Sequence, residues 1–100
     1  MNDNQPSDLP TLFDFYAPWC GPCKAMDPTI EALKTKFEGR MEVKKVNVDD
    51  QPELAKFYNV RSIPTLILMA PDEKLRMIGG RPSIDLEMKI EEALKGIVAG

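Results

Sequence analysis

The spacing of apolar positions changes repeatedly along the chain, and each change marks an element. Residues 11–17, TLFDFYA, are dense in aromatic and aliphatic side chains and read as a strand. From position 21 to 37 the period turns helical. Met26, Ile30, Leu33 and Phe37 fall on one face, and Gly39 offers a stop just past the end. Pro28 lies inside this pattern and predicts a kink. Residues 41–49, MEVKKVNVD, form a second strand. Residues 51–59, QPELAKFYN, predict a short helix, with a proline suited to its first turn and Asn59 placed for a left-handed cap. TLILMA, 65–70, is continuously apolar, as a strand covered on both faces should be. PDEK, 71–74, is turn material, and LRMI, 75–78, predicts a returning strand. The glycine pair at 79 and 80 marks a bulge or a close approach. Ser83 is placed to cap a last helix, whose Leu86, Ile90, Ala93, Leu94 and Ile97 form an apolar stripe.

This order predicts an α/β fold. The early strand–helix alternation argues for parallel pairing with right-handed crossovers, and the short turn near 71–74 forces the last two strands antiparallel. Residues 1–10 read as a flexible polar lead and 11–100 as one domain. Of the 100 residues, 43% are hydrophobic, enough for a core without disulfide scaffolding. The net charge of −3 is spread over mixed signs with no basic block, which argues against nucleic-acid binding. No apolar run approaches a membrane span. The opening MNDNQPSDLP lacks the basic and apolar regions of a signal peptide, so the expected compartment is the cytoplasm, where cysteines stay reduced.

That expectation turns Cys20 and Cys23 from staples into chemistry. Both lie in FYAPWCGPCKAMDP, 15–28, in a chain with no histidine. Cys20 ends the loop after the first strand, and Cys23 falls in the first turn of the next helix. Free amides at a helix start stabilise a thiolate, the reactive species, and so activate Cys20. Gly21 and Pro22 let the chain turn while the two sulfurs stay within disulfide reach. Cys20 can attack a substrate disulfide, and Cys23 can then resolve the mixed disulfide. The competing readings are half of a zinc site, an iron–sulfur centre shared between chains, or two inert packed thiols. Two cysteines without histidine leave the first two short of ligands, and the exposed proline-rich surroundings argue against the third. The strand-to-helix context strengthens what Cys-x-x-Cys alone signals weakly.

WCGPCK at 19–24 resembles the active-site string of the thioredoxin family. The resemblance extends through DF at 14–15, Pro28, KVNVDD at 45–50, YNVRSIPTL at 58–66 and the glycine pair near 80, covering residues 11–98 in order. It implies a thioredoxin fold with a central mixed sheet flanked by helices and a protein-disulfide reductase with no bound cofactor. The implied partners are disulfide-containing proteins and a thioredoxin reductase, and the expected state is a monomer. Cys20 is then the nucleophile and Cys23 the resolving thiol.

Asp14 matches the family's buried aspartate. Independently, Leu12, Asp14 and Tyr16 share one face of a strand that a helix should cover, where a carboxylate is costly without a partner or a task. The task is to take the proton of Cys23; the alternative is an exposed edge position. Lys45 matches the lysine beside that aspartate, with its amine expected near Asp14, or else it is a surface lysine. Pro64 matches the family's cis-proline, packed against the cysteine pair, and implies that the main chain of Ile63 pairs with bound substrate. Trp19, Pro22 and Gly80, with Tyr58 to Val60 behind, are expected to form an apolar docking rim. Family members usually carry a strand and a helix ahead of the aspartate strand; ten polar residues are too few for both, which predicts four strands and a bare sheet edge. A different class, a binding module that stabilises a partner without redox chemistry, would leave both cysteines dispensable.

Overall fold

The computed structural model describes residues 9–97. The elements run β1 (Thr11–Tyr16), α1 (Gly21–Lys36), β2 (Glu42–Asn47), α2 (Pro52–Phe57), β3 (Thr65–Met69), β4 (Glu73–Ile78) and α3 (Ser83–Lys95). The strands form one mixed sheet in the order β2-β1-β3-β4. β1 and β2 are parallel across the α1 crossover, and β3 runs antiparallel to both β1 and β4. This is the mixed, helix-flanked sheet that the resemblance implied, with the four strands expected from the short segment ahead of β1. Among the described residues no strand lies beyond β2. The expected flexible lead falls mostly on residues 1–8, outside the described ones; Pro10 is buried, and its carbonyl accepts the Glu42 N–H at 2.9 Å.

Strand alternation divides the core in two. On one face, Leu12, Leu66, Leu68 and Met77 pack with Met26, Ile30 and Leu33 of α1 and Leu86 and Ile90 of α3. On the other, Phe15, Val46 and Ile67 pack with Leu54, Ala55 and Tyr58 from the α2 region. The apolar run in β3 has this cause: its alternate residues feed both layers. The same alternation commits Asp14 to the α1–α3 face, in phase with Leu12 and level with Lys45 on β2 and Leu66 on β3.

The turns hold the departures from expectation. The turn before the last strand is shorter than 71–74. The chain reverses over 70–72, with a cis Ala70–Pro71 peptide and the Ala70 N–H donating to the Asp72 carbonyl, so β4 begins at Glu73. An edge strand tolerates the charges of Glu73 and Lys74 because its outer edge meets water. Ser83 does not cap α3. Pro82, with extended backbone, holds the cap position, and Ser83 sits inside the first turn, its hydroxyl donating to Glu87. Ile97 falls beyond the end of that helix. α1 continues through Pro28 as one element of 16 residues. Asn59 does adopt the left-handed conformation (φ 57°) after α2, and the Arg76 guanidinium binds the carbonyls of Tyr58 and Asn59 at that helix end.

Candidate active site

β1 delivers the chain to the carboxyl end of the sheet, where Ala17 turns it into α1. Cys20 is the residue that caps this helix. Its backbone is extended (φ −88°, ψ 110°), its carbonyl accepts the Lys24 N–H at 3.1 Å, and its Sγ accepts the Cys23 N–H at 3.2 Å. Pro22 occupies the first turn, where a missing N–H costs nothing. No acidic side chain lies in that turn, so the positive end of the helix dipole acts on the Cys20 sulfur alone. Cys20 and Cys23 are joined in a disulfide with Cα atoms 5.2 Å apart. Both are 5% exposed and form a small cluster with Ala17, walled by Tyr16, Val48 and Ile63.

The second wall is the corner 62–65. The Ile63–Pro64 peptide is cis, as the family resemblance implied. The Thr65 hydroxyl donates to the Ser62 carbonyl at 2.7 Å, and the Gly79 N–H donates to the Pro64 carbonyl at 2.8 Å. Gly79 has φ 87°, a conformation that side chains disfavour, so the first glycine of the pair lets β4 end against this corner. Pro64 is buried, Ile63 is half-buried against the cysteine cluster, and Gly80 is exposed.

Trp19 is 68% exposed, which excludes core filling for the only tryptophan. Its indole N–H donates to Asp49 Oδ2 at 2.9 Å, and the Asp49 N–H in turn donates to Asn47 Oδ1. Asp49 was not singled out in the sequence. The available signal was topological: Trp19 and Asp49 each follow the carboxyl end of one of two adjacent parallel strands. Pro22 and Gly21 are also exposed, and nothing lies within 4 Å of where a Gly21 Cβ would be. Tyr58 does not join this rim. It stacks on Phe13 and Phe15 in the opposite layer, at 5.7 and 5.9 Å between ring centroids.

Asp14 is 4% exposed, and its carboxylate accepts no hydrogen bond among the described residues. Burial therefore pushes its pKa from 3.8 up to about 6, opposed by the Lys45 charge and reinforced by Asp27. α1 lays its buried side, Cys23, Met26, Ile30 and Leu33, on the sheet face that carries Asp14. The Lys45 amine lies within the electrostatic reach of Asp14 but is anchored elsewhere. It binds Asp27 Oδ1 at 2.9 Å and sits 4.7 Å over the Tyr16 ring. The Asp27 hydrogen bond is the chief reason its pKa is raised. Lys45 is thus an exposed lysine, paired with Asp27, whose charge also acts on the buried carboxylate.

The arrangement suits two-electron exchange. Free amides at a helix start favour the charged form of a sulfur there, and a second sulfur one helical turn away can close on it. Among the described residues no cluster of His, Cys, Asp or Glu is arranged to hold a metal ion, and no helix is long and apolar enough to cross a membrane.

The comparisons with known proteins agree with this geometry. The model of the family described as Thioredoxin matches residues 2–92. The chain is 42% identical over 89 residues to "Thioredoxin 1" of Nostoc sp., covering 88% of this chain and 83% of that protein. It is 41% identical over 87 residues to "Thioredoxin" of Porphyra purpurea, covering 86% and 81%. It is also 43% identical over 89 residues to "Thioredoxin M-type, chloroplastic" of Spinacia oleracea, covering 88% of this chain and 49% of that longer protein. With a helix-capping Cys20 bonded to Cys23 on a mixed four-stranded sheet, this chain belongs to the thioredoxin family and is a disulfide reductase that works by dithiol–disulfide exchange.

Proposed function

We propose that this chain is a cytoplasmic, monomeric reductant of protein disulfides, recharged by a thioredoxin reductase. One observation carries the reading: Cys20 caps α1 with its sulfur on the Cys23 N–H and no competing acid in the first turn. In the reduced protein the same N–H stabilises a Cys20 thiolate. The thiolate attacks one sulfur of a substrate disulfide, forming a mixed disulfide and releasing the other substrate sulfur as a thiolate, which takes a proton from water. Cys23 gives its proton to Asp14, directly or through water, and attacks the Cys20 sulfur. The second substrate sulfur leaves, and the Cys20–Cys23 disulfide remains. Two electrons pass to the substrate, and the reductase returns them.

The raised proton affinity of Asp14 suits a base that must accept and release a proton near neutral pH. Trp19, Gly21, Pro22, Ile63, Pro64 and Gly80 supply the docking surface, with the Ile63 main chain pairing with an extended substrate segment. The direction of electron flow is tested by the reduction potential of the pair. A value near ~−270 mV, the figure typical of thioredoxins as a class, is expected. A value near ~−180 mV would make the chain an isomerase and sink the reductant reading.

A further inference from the structure

Asp27 has no part in the mechanism above, yet it holds one of the groups that faces Asp14. It stands four residues after Cys23 on α1, hence on the same side of the helix, with its side chain at the rim of the α1–sheet layer. The Lys45 amine reaches out of the layer to meet it at 2.9 Å, crossing from β2 to α1 and lying over the Tyr16 ring on the way. Tyr16 lies two residues along β1 from Asp14, on the same face. Lys45 and Asp14 are register partners on parallel strands, so the amine has two carboxylates within electrostatic range.

The neighbours of Asp14 can be named from every packed element. β2 contributes Lys45 and α1 contributes Asp27, the two charges that act on Asp14; Tyr16 is the next residue along the same face of β1, and Cys23 opens the buried side of α1. β3 presents Leu66, and the buried residues of α3 are Leu86 and Ile90, none of which ionises. Lys45 is therefore the cation that moderates the charge of Asp14 from β2, and where its amine sits decides how strongly it does so. An amine drawn towards Asp14 would favour the ionised carboxylate, lower its proton affinity and so weaken it as a proton acceptor near neutral pH.

We infer that Asp27 is a positioning residue for thiol–disulfide exchange: it fixes the Lys45 ammonium group at the outer edge of the layer and thereby keeps the buried Asp14 able to bind the proton of Cys23. The inference rests on the reading of Asp14 as that proton's acceptor. Asp27 acts through two effects of one sign. It retains the cation, and its own negative charge disfavours a second charge at Asp14, an effect that raises the Asp14 pKa. Because the Lys45 and Asp27 side chains are 37% and 53% exposed, salt screens the pair, and the effect shrinks as ionic strength rises.

The test compares wild type, Asp27→Asn, Asp27→Glu and Asp14→Asn in the full chain. The Asp14 carboxyl is titrated by NMR in the oxidised protein, where no thiol ionises, and turnover of a small disulfide is followed from pH 5 to 9. In Asp27→Asn the Asp14 titration and the acid limb of the rate profile should both move to lower pH by about half a unit or more. That is roughly a threefold gain in relative rate on the limb. Asp27→Glu should restore most of the wild-type profile. If Asp14→Asn turns over like wild type, the proton-acceptor reading fails and this inference falls with it. If Asp14→Asn is slowed but Asp27→Asn titrates and turns over with the wild-type pH dependence, the role of Asp27 alone is refuted.

Discussion

Replacing Asp14 with asparagine removes a charge that the fold resists. In the folded chain the carboxyl group binds its proton up to about pH 6, against 3.8 for an ordinary aspartate, and burial is the main cause. Below about pH 4 the group is protonated in both folded and unfolded chains and has no effect on stability. Between about pH 4 and 6 the unfolded chain releases its proton first, so stability falls as pH rises. Above about pH 6 both forms are ionised and the full penalty persists. A displacement of about two units, at about 1.4 kcal/mol each, comes to about 3 kcal/mol. An asparagine of the same shape avoids this penalty, though its unpaired amide costs about 1 kcal/mol in a buried site. Asp14→Asn should then gain about 2 kcal/mol at pH 8 and lose about 1 kcal/mol at pH 3. Urea unfolding of the oxidised proteins at both pH values reads this out, with a midpoint shift at pH 8 of about 1 M or more. The same variant should lose about tenfold or more in turnover, because the Cys23 proton has lost its acceptor. A stability difference that does not change with pH, or a variant less stable than wild type at pH 8, would refute the burial argument. An unchanged rate would refute the chemical one.

Other substitutions test the frame around the site. Gly79→Ala forces a side chain into a positive-φ position with open space around it, so the cost is in the backbone alone, about 1–2 kcal/mol by thermal unfolding; turnover should fall too, since the Gly79 N–H holds the Pro64 carbonyl. Asp49→Ala frees the Trp19 indole, and KM for a protein disulfide should rise while KM for a small disulfide stays near wild type. Leu33→Ala, at a fully buried position of α1, should cost about 2–5 kcal/mol in denaturant unfolding without changing the pH dependence of turnover.

What the sequence disclosed and what it withheld divide along physical lines. Asp14 was legible because strand alternation is strict: a carboxylate in phase with Leu12 has to share the fate of Leu12. The cysteine pair was legible because a strand-to-helix junction is a local event, and Cys20 does cap the helix it precedes. Asn59 was legible because few residue types accept its backbone conformation. Asp27 and Asp49 were missed because their partners, Lys45 and Trp19, lie 18 and 30 residues away, and only the assembled register brings them together. The start of β4 was misjudged because charged residues read as turn in a linear pattern, whereas an edge strand carries them freely. Ser83 was misjudged by one position, since Pro82 opens the helix from a backbone already extended. The strand–helix alternation argued for parallel pairing, which holds for β1 and β2 but not for β3, since a connection through a six-residue helix constrains neither direction.

The central claim, that Cys20 attacks and Cys23 resolves, is tested most directly by trapping. Purified Cys23→Ser is incubated with a disulfide-containing protein substrate, and the covalent product is digested and mapped by mass spectrometry, beside Cys20→Ser and wild type. The account predicts a stable mixed disulfide on Cys20 in Cys23→Ser, no covalent product and no turnover with Cys20→Ser, and free turnover in wild type. A mixed disulfide on Cys23, or turnover by Cys20→Ser at the wild-type rate, would contradict it.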